Sequence, residues 1–165
     1  FVLHEEIMNL FFVIYILLLF ELLTGTENSL GSGFNIVPFQ EIFRYEIGSR
    51  KFIYNVLGNI LIFVPFGYFI SRAIKPRGVA TIIIDSVLTS LTVELVQLNI
   101  GRSFDIDDIM LNMVGGIVGY FLYVGLDAIY NHLPRFLQRD FIYDVICGII
   151  FIGFVAYMLK VIGIW

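Results

Sequence analysis

Apolar residues along this chain come in five long runs, and the polar residues that border them gather near the ends of the middle three. A helix needs about 20 mainly apolar residues to cross a bilayer. Five segments meet or approach that length: roughly Ile7 to Leu23, Phe52 to Ile70, Val79 to Leu98, Ile109 to Ala128 and Phe141 to Ile164. The pattern predicts an all-α polytopic integral membrane helix bundle with about five transmembrane helices. Most connections are short, so neighbouring helices should pack antiparallel. The exception runs from Thr24 to Lys51. It opens with Gly, Ser and Asn and continues with Asn35-Ile-Val-Pro-Phe39, which is apolar but too short to span. Two readings stand for it: a re-entrant or interfacial segment lying against the bundle before the second helix, or a disordered loop.

Lys and Arg set the orientation. The second connection holds Arg72, Lys75 and Arg77 and the fourth Arg135 and Arg139, against Arg44, Arg50, Lys51 and Arg102 on the opposite side. The larger group places the second and fourth connections in the cytoplasm and the other ends outside. Trp165 then suits an aromatic anchor at the outer interface, with Lys160 snorkelling to the same surface.

With that topology, three helix ends deliver polar residues to one layer. Asn55 and Asn59, four apart, share a face of the second helix. Glu94 and Gln97 share a face of the third, which Ser90 extends inward. Asp108 and Asn112 do so on the fourth, preceded by Arg102, Asp105 and Asp107. Charge inside a bilayer is costly and persists where it is paired, buried in protein or used. The three faces can converge on a ligand-binding pocket; alternatively they are interhelical hydrogen bonds that hold the bundle together. The three aspartates suit the start of a helix, where one acid suffices to cap. Asp105, Asp107 and Asp108 with Glu94 could also hold a divalent cation through oxygen ligands. Arg102 and the helix N-terminus could instead receive a phosphate or carboxylate. Glu94 and Asp108 are the candidates for general-base work. Pro65, inside Val64-Pro-Phe-Gly67, predicts a kink. Gly115, Gly116 and Gly119 predict close helix packing. Asp127 and Asp144 read as solvated, and His4 and His132 belong to no visible ligand set.

Composition narrows the class. The chain is 59% hydrophobic and 15% charged, with a mean hydropathy of +0.91. A soluble domain is nearer half apolar and a quarter charged. Net charge is −4, which leaves no basic face for nucleic acid. The single cysteine, Cys147, excludes an internal disulfide and a cysteine metal site. The first apolar run lacks a basic leader and a small-residue cleavage site, so it reads as a retained helix.

The order Asn59 with Phe63-Val-Pro-Phe-Gly67, then Glu94-x-x-Gln97, then Arg102-x-x-Asp105-x-x-Asp108, then Asn112-x-x-Gly115 resembles the VanZ-like family. These are small bacterial membrane proteins named for a member linked to resistance to the glycopeptide teicoplanin. Asn35-Ile-Val-Pro-Phe39 also looks like a family feature, so the resemblance covers roughly residues 35–120. It implies a bundle of membrane helices as a single domain over residues 1–165, in a cell membrane of Gram-positive type. It implies no established reaction, and puts at stake Asn59, Glu94, Gln97, Arg102, Asp105, Asp108 and Asn112.

The reading that unites these observations is a multi-pass membrane protein with a polar pocket on its outer face. The pocket binds an amphiphile, either a glycopeptide antibiotic or a lipid-linked envelope precursor, with Asn55 and Asp107 added to the family positions. The rivals are a membrane enzyme acting on a lipid-linked phosphate or sugar, and a small proton-coupled transporter. The enzyme reading is left open, with the balance against it.

Overall fold

A computed structural model describes residues 3–24, 33–135 and 137–161. The elements in order are α1 (Leu3–Thr24), β1 (Phe34–Asn35), a 3-10 turn (Ile42–Arg44), α2 (Arg50–Phe52), a π-helical turn (Ile53–Leu57), α3 (Gly58–Ile74), α4 (Val79–Asn99), β2 (Phe104–Asp105), α5 (Ile106–His132) and α6 (Asp140–Val161). The run from Arg50 to Ile74 is one continuous 25-residue helix. Among the described residues, four helices are long and apolar enough to cross a membrane: Leu3–Glu21, Arg50–Ile74, Val79–Asn99 and Ile106–His132. α6 is a fifth long helix of 22 residues. The protein is an all-α membrane helix bundle. Trp165 and the Lys160 side chain lie outside the described residues.

Contacts divide the chain into two units. The first joins Phe1–Ile14 to Asp127–Trp165. In it the His4 ring and its backbone N–H meet Asp144 Oδ1, at 2.9 and 2.7 Å. Asp144, expected to be solvated, is therefore paired. Two tyrosines, Tyr130 and Tyr143, pack beside this contact.

The second unit, Tyr15–Leu126, carries the polar constellation. Its interior is not oily in the manner of a soluble core. Buried polar groups (Ser71, Ser86, Ser90, Glu94, Gln97, Asp107, Asn112) rival the buried apolar ones, while Leu17, Leu61, Ile84 and Phe121 point outward. Packing in lipid rests on close contact rather than on apolar burial, and the glycines supply that contact. A Cβ on Gly115 would lie 2.1 Å from the Ile60 carbonyl, and one on Gly119 equally close to that of Val64. These contacts advance together by four residues, so α3 and α5 run parallel with backbones touching. The α4–α5 pairs Ser90 with Asn112 and Ser86 with Gly116 step in opposite senses, so those two helices are antiparallel. The predicted glycine packing face is thus present, and α5 is the helix around which α3 and α4 are set.

Leu19, Phe63 and Phe66 form an apolar cluster with Tyr15 and Ile62 around it. Pro65 lies inside α3 and withholds the N–H of its turn. The Tyr15 hydroxyl donates to the carbonyl of Ile62 in that turn, at 2.6 Å.

Candidate functional site

The site is assembled where α4 ends, α5 begins and the 33–45 segment folds back on both. α4 closes with a Schellman arrangement. Gly101, at φ +87°, turns the chain, while Arg102 N–H reaches the Gln97 carbonyl at 2.9 Å and Gly101 N–H the Leu98 carbonyl at 3.2 Å. Only glycine adopts that backbone conformation at little cost. The turn delivers β2, which pairs in parallel with β1: Phe34 against Phe104, Asn35 against Asp105. The Gly33 carbonyl accepts from Phe104 N–H at 2.9 Å.

The three aspartates have three separate tasks. Asp105 precedes α5 and accepts from Asp107 N–H at 2.9 Å, the N-cap bond. The same oxygen accepts the Asn35 amide at 3.0 Å. Asp107 is buried and accepts three backbone N–H groups from the folded segment: Phe39 at 2.5 Å, Glu41 at 2.8 Å and Ile42 at 3.2 Å. Asp108 accepts the Asn59 amide from α3 at 2.5 Å. Capping needs one acid; tying down a 70-residue crossover and fixing α3 account for the other two. The Asn35 to Phe39 stretch is accordingly an ordered segment fastened to the bundle, not a disordered loop.

Glu94 is buried, and its carboxylate accepts Asp105 N–H at 2.8 Å. That dedicated backbone donor supports an acid inside the bundle. One turn deeper, the Asn112 amide donates to Ser90 Oγ at 2.8 Å, while Asn112 Oδ1 and Ser86 Oγ lie buried without a hydrogen-bond partner. Burial pushes the Asp105 carboxyl above its ordinary value, as do the charges of Asp107 and Glu41; the Asp107 N–H and the Asn35 amide pull it back.

A cavity of about 140 Å³ opens beside this cluster. Its polar lining is Glu41, Tyr45, Asn55, Asp105, Asp107 and Asp108, with Ile42, Val56 and Leu111 between them. Of the residues expected to converge, Asn55, Asp105, Asp107 and Asp108 therefore meet at one cavity. Asn59, Glu94, Gln97, Arg102 and Asn112 are not in its lining. Asn59 holds Asp108, Glu94 holds the start of α5, and Asn112 joins α5 to α4. Asn55 lies in the π-helical turn over Ile53–Leu57 and reaches the lining itself, while Asn59, four residues on, meets Asp108 at the same wall. A π turn changes the angular step and is frequent at functional positions. Glu41 and Tyr45 escaped the sequence reading; the only signal was the Asn35 to Phe39 stretch just before them. Among the described residues, no three of the Asp, Glu, His and Cys side chains come together in a way that would hold a metal ion. Asp107 in particular has both oxygens turned to backbone N–H groups.

A polytopic bundle with an acid-lined cavity at the shared end of three spanning helices is the class that fold and site define. The chain belongs to the VanZ/LLP1 family, whose model matches residues 7–130. No curated protein and no solved structure matches it. It is thus a VanZ-like membrane protein.

Proposed function

We propose that this protein binds the polar end of an amphiphile in the cavity bounded by Glu41, Asn55, Asp105 and Asp108, as part of glycopeptide protection or another envelope function. The observation that supports the reading is the lining itself. Four acids, an asparagine and a tyrosine around about 140 Å³ favour an amine or a hydroxyl-rich group over a bare phosphate. The space holds a head group or one sugar ring, not a whole glycopeptide. Asp108, pinned by Asn59, is the carboxylate best placed to meet such a group. Teicoplanin carries an acyl chain that vancomycin lacks, so a membrane site could separate the two. The enzymatic alternative runs through Asp108, since Asp108 lines the cavity and Glu94 does not.

In a sensitive Gram-positive host the chain should protect against teicoplanin and not vancomycin. Asn55→Ala and Asp108→Ala, matched for expression, should erase the protection. A well-expressed protein that gives none would detach the antibiotic role and bring a lipid-linked precursor forward as ligand. The reading also sets the site on the outer side. A cysteine replacing exposed Ser103 in a Cys147→Ser background should then react with an impermeant thiol reagent in intact cells. Reaction only after permeabilisation would put the cavity in the cytoplasm.

A further inference from the structure

The segment from Phe34 to Ile47 is folded inside out for a water-facing loop. Part of its polar surface turns inward: the Asn35 amide to Asp105, and the N–H groups of Phe39, Glu41 and Ile42 to Asp107. Its large apolar side chains turn outward. Phe34, Ile36, Val37, Phe43 and Ile47 are each 58–79% exposed. Surface apolar residues are ordinary when scattered, but a contiguous set marks a contact surface.

The chain itself points to what covers them. Through Gly48 and Ser49 the segment runs directly into the spanning helix that begins at Arg50. The exposed flank of that helix continues with Tyr54, Leu57 and Leu61. The segment also carries Arg44, paired with Glu41 at 3.0 Å, and Glu46. Irregular backbone and charges of this kind do not lie in the hydrocarbon core, but they suit the boundary between head groups and acyl chains.

We propose that residues 34–47 form an interfacial strap, seated in the lipid leaflet through Phe34, Ile36, Val37, Phe43 and Ile47. Its inner face supplies Glu41 and Tyr45 to the cavity wall, so the cavity is held at the level of the lipid head groups. An interfacial ligand would then reach it from the leaflet rather than from bulk water.

Collision accessibility of nitroxide labels tests this on the full chain in phosphatidylcholine–phosphatidylglycerol vesicles. Labels are placed on single cysteines in a Cys147→Ser background: Ile36→Cys, Phe43→Cys and Ile47→Cys. Leu61→Cys serves as the lipid-facing reference, and Lys75→Cys, in the α3–α4 connection, as the water-facing one. The strap labels should collide with oxygen as the Leu61→Cys label does. Their collisions with a water-soluble nickel chelate should fall well below those at Lys75→Cys. Nickel collisions at the Lys75→Cys level would overturn the proposal. So would exclusion of both reagents with dipolar broadening between labels, which would assign the face to a second copy of the chain. Three independent positions keep one badly folded variant from deciding the result.

Discussion

Gly119→Ala should destabilise the bundle by about 3 kcal/mol, at the upper end of ordinary overpacking costs. The added methyl would lie 2.1 Å from the Val64 carbonyl oxygen, 2.7 Å from Tyr68 N and 2.9 Å from Gly67 Cα, where ordinary contact begins near 3.4 Å. All three neighbours are backbone, so no rotamer change relieves them. Either α5 withdraws from α3 by about an ångström along its glycine face, or the helices re-register. Withdrawal also pulls Asp108 from the Asn59 amide, so the cavity should loosen with the bundle. Two more glycines of the same helix make the test internal. At Gly116 the methyl meets the Ser86 hydroxyl at 2.0 Å, a side chain that can rotate, so Gly116→Ala should cost less, about 1–2 kcal/mol. At Gly125 nothing lies within 4 Å, and Gly125→Ala should stabilise by roughly 0.5–1 kcal/mol through helix propensity. Unfolding of the three variants in mixed detergent, followed by helical circular dichroism, should rank them 119, 116, 125. Equal midpoints for Gly119→Ala and Gly125→Ala would mean that α3 and α5 do not touch as described.

The helices were the readable part of the chain, and their ends were the unreadable part. Hydropathy located four spans that the structure bears out. It began the fourth at Ile109, whereas α5 starts at Ile106 and takes Asp107 and Asp108 into its first turn. Acids there lower apolarity yet suit the free N–H groups and the dipole, so an apolar window stops short where the helix goes on. The polar positions were found because ionisable groups in a bilayer stand out individually. Their division was not. Whether Glu94 faces the cavity or the start of α5 depends on how Gly101 closes α4, and no periodicity carries that information. The π-helical turn that carries Asn55 is announced by no residue. Glu41 and Tyr45 entered the site through pairing across 65–70 residues, and a local pattern does not encode such pairing.

Asp107 should prove the residue on which the cavity wall depends most. Asp107→Ala leaves the N–H groups of Phe39, Glu41 and Ile42 without their acceptor and α5 without one of its first-turn acids. A hydrogen bond to a charged group is worth about 1.5–3 kcal/mol. The three share one carboxylate and will not add in full, so the segment should lose about 4 kcal/mol of its docking energy. The loss is aggravated at Phe39, which sits at φ +67°, a conformation that costs a bulky residue about 1–2 kcal/mol and is held in place by the bond to Asp107. Released from it, Phe39 relaxes to an ordinary backbone and the turn opens. The helices, packed through their glycines, should survive. The expected picture is therefore local: amide exchange at Phe39, Glu41 and Ile42 rises by two to three orders of magnitude, about 1.4 kcal/mol for each factor of ten, while α4 and α5 stay protected. Asp107→Asn, which keeps one acceptor oxygen, should fall between the variant and the parent. Asn35→Ala, which removes a single donor to Asp105 at 3.0 Å, should cost only about 1.5 kcal/mol, the low end of that range. If Asp107→Ala instead melts α5 along with the segment, the aspartate acts chiefly on the helix start, and the cavity wall is held by the β1–β2 pairing. If exchange at those amides does not change, the segment is fastened by its outer apolar face, and the carboxylate is incidental to it.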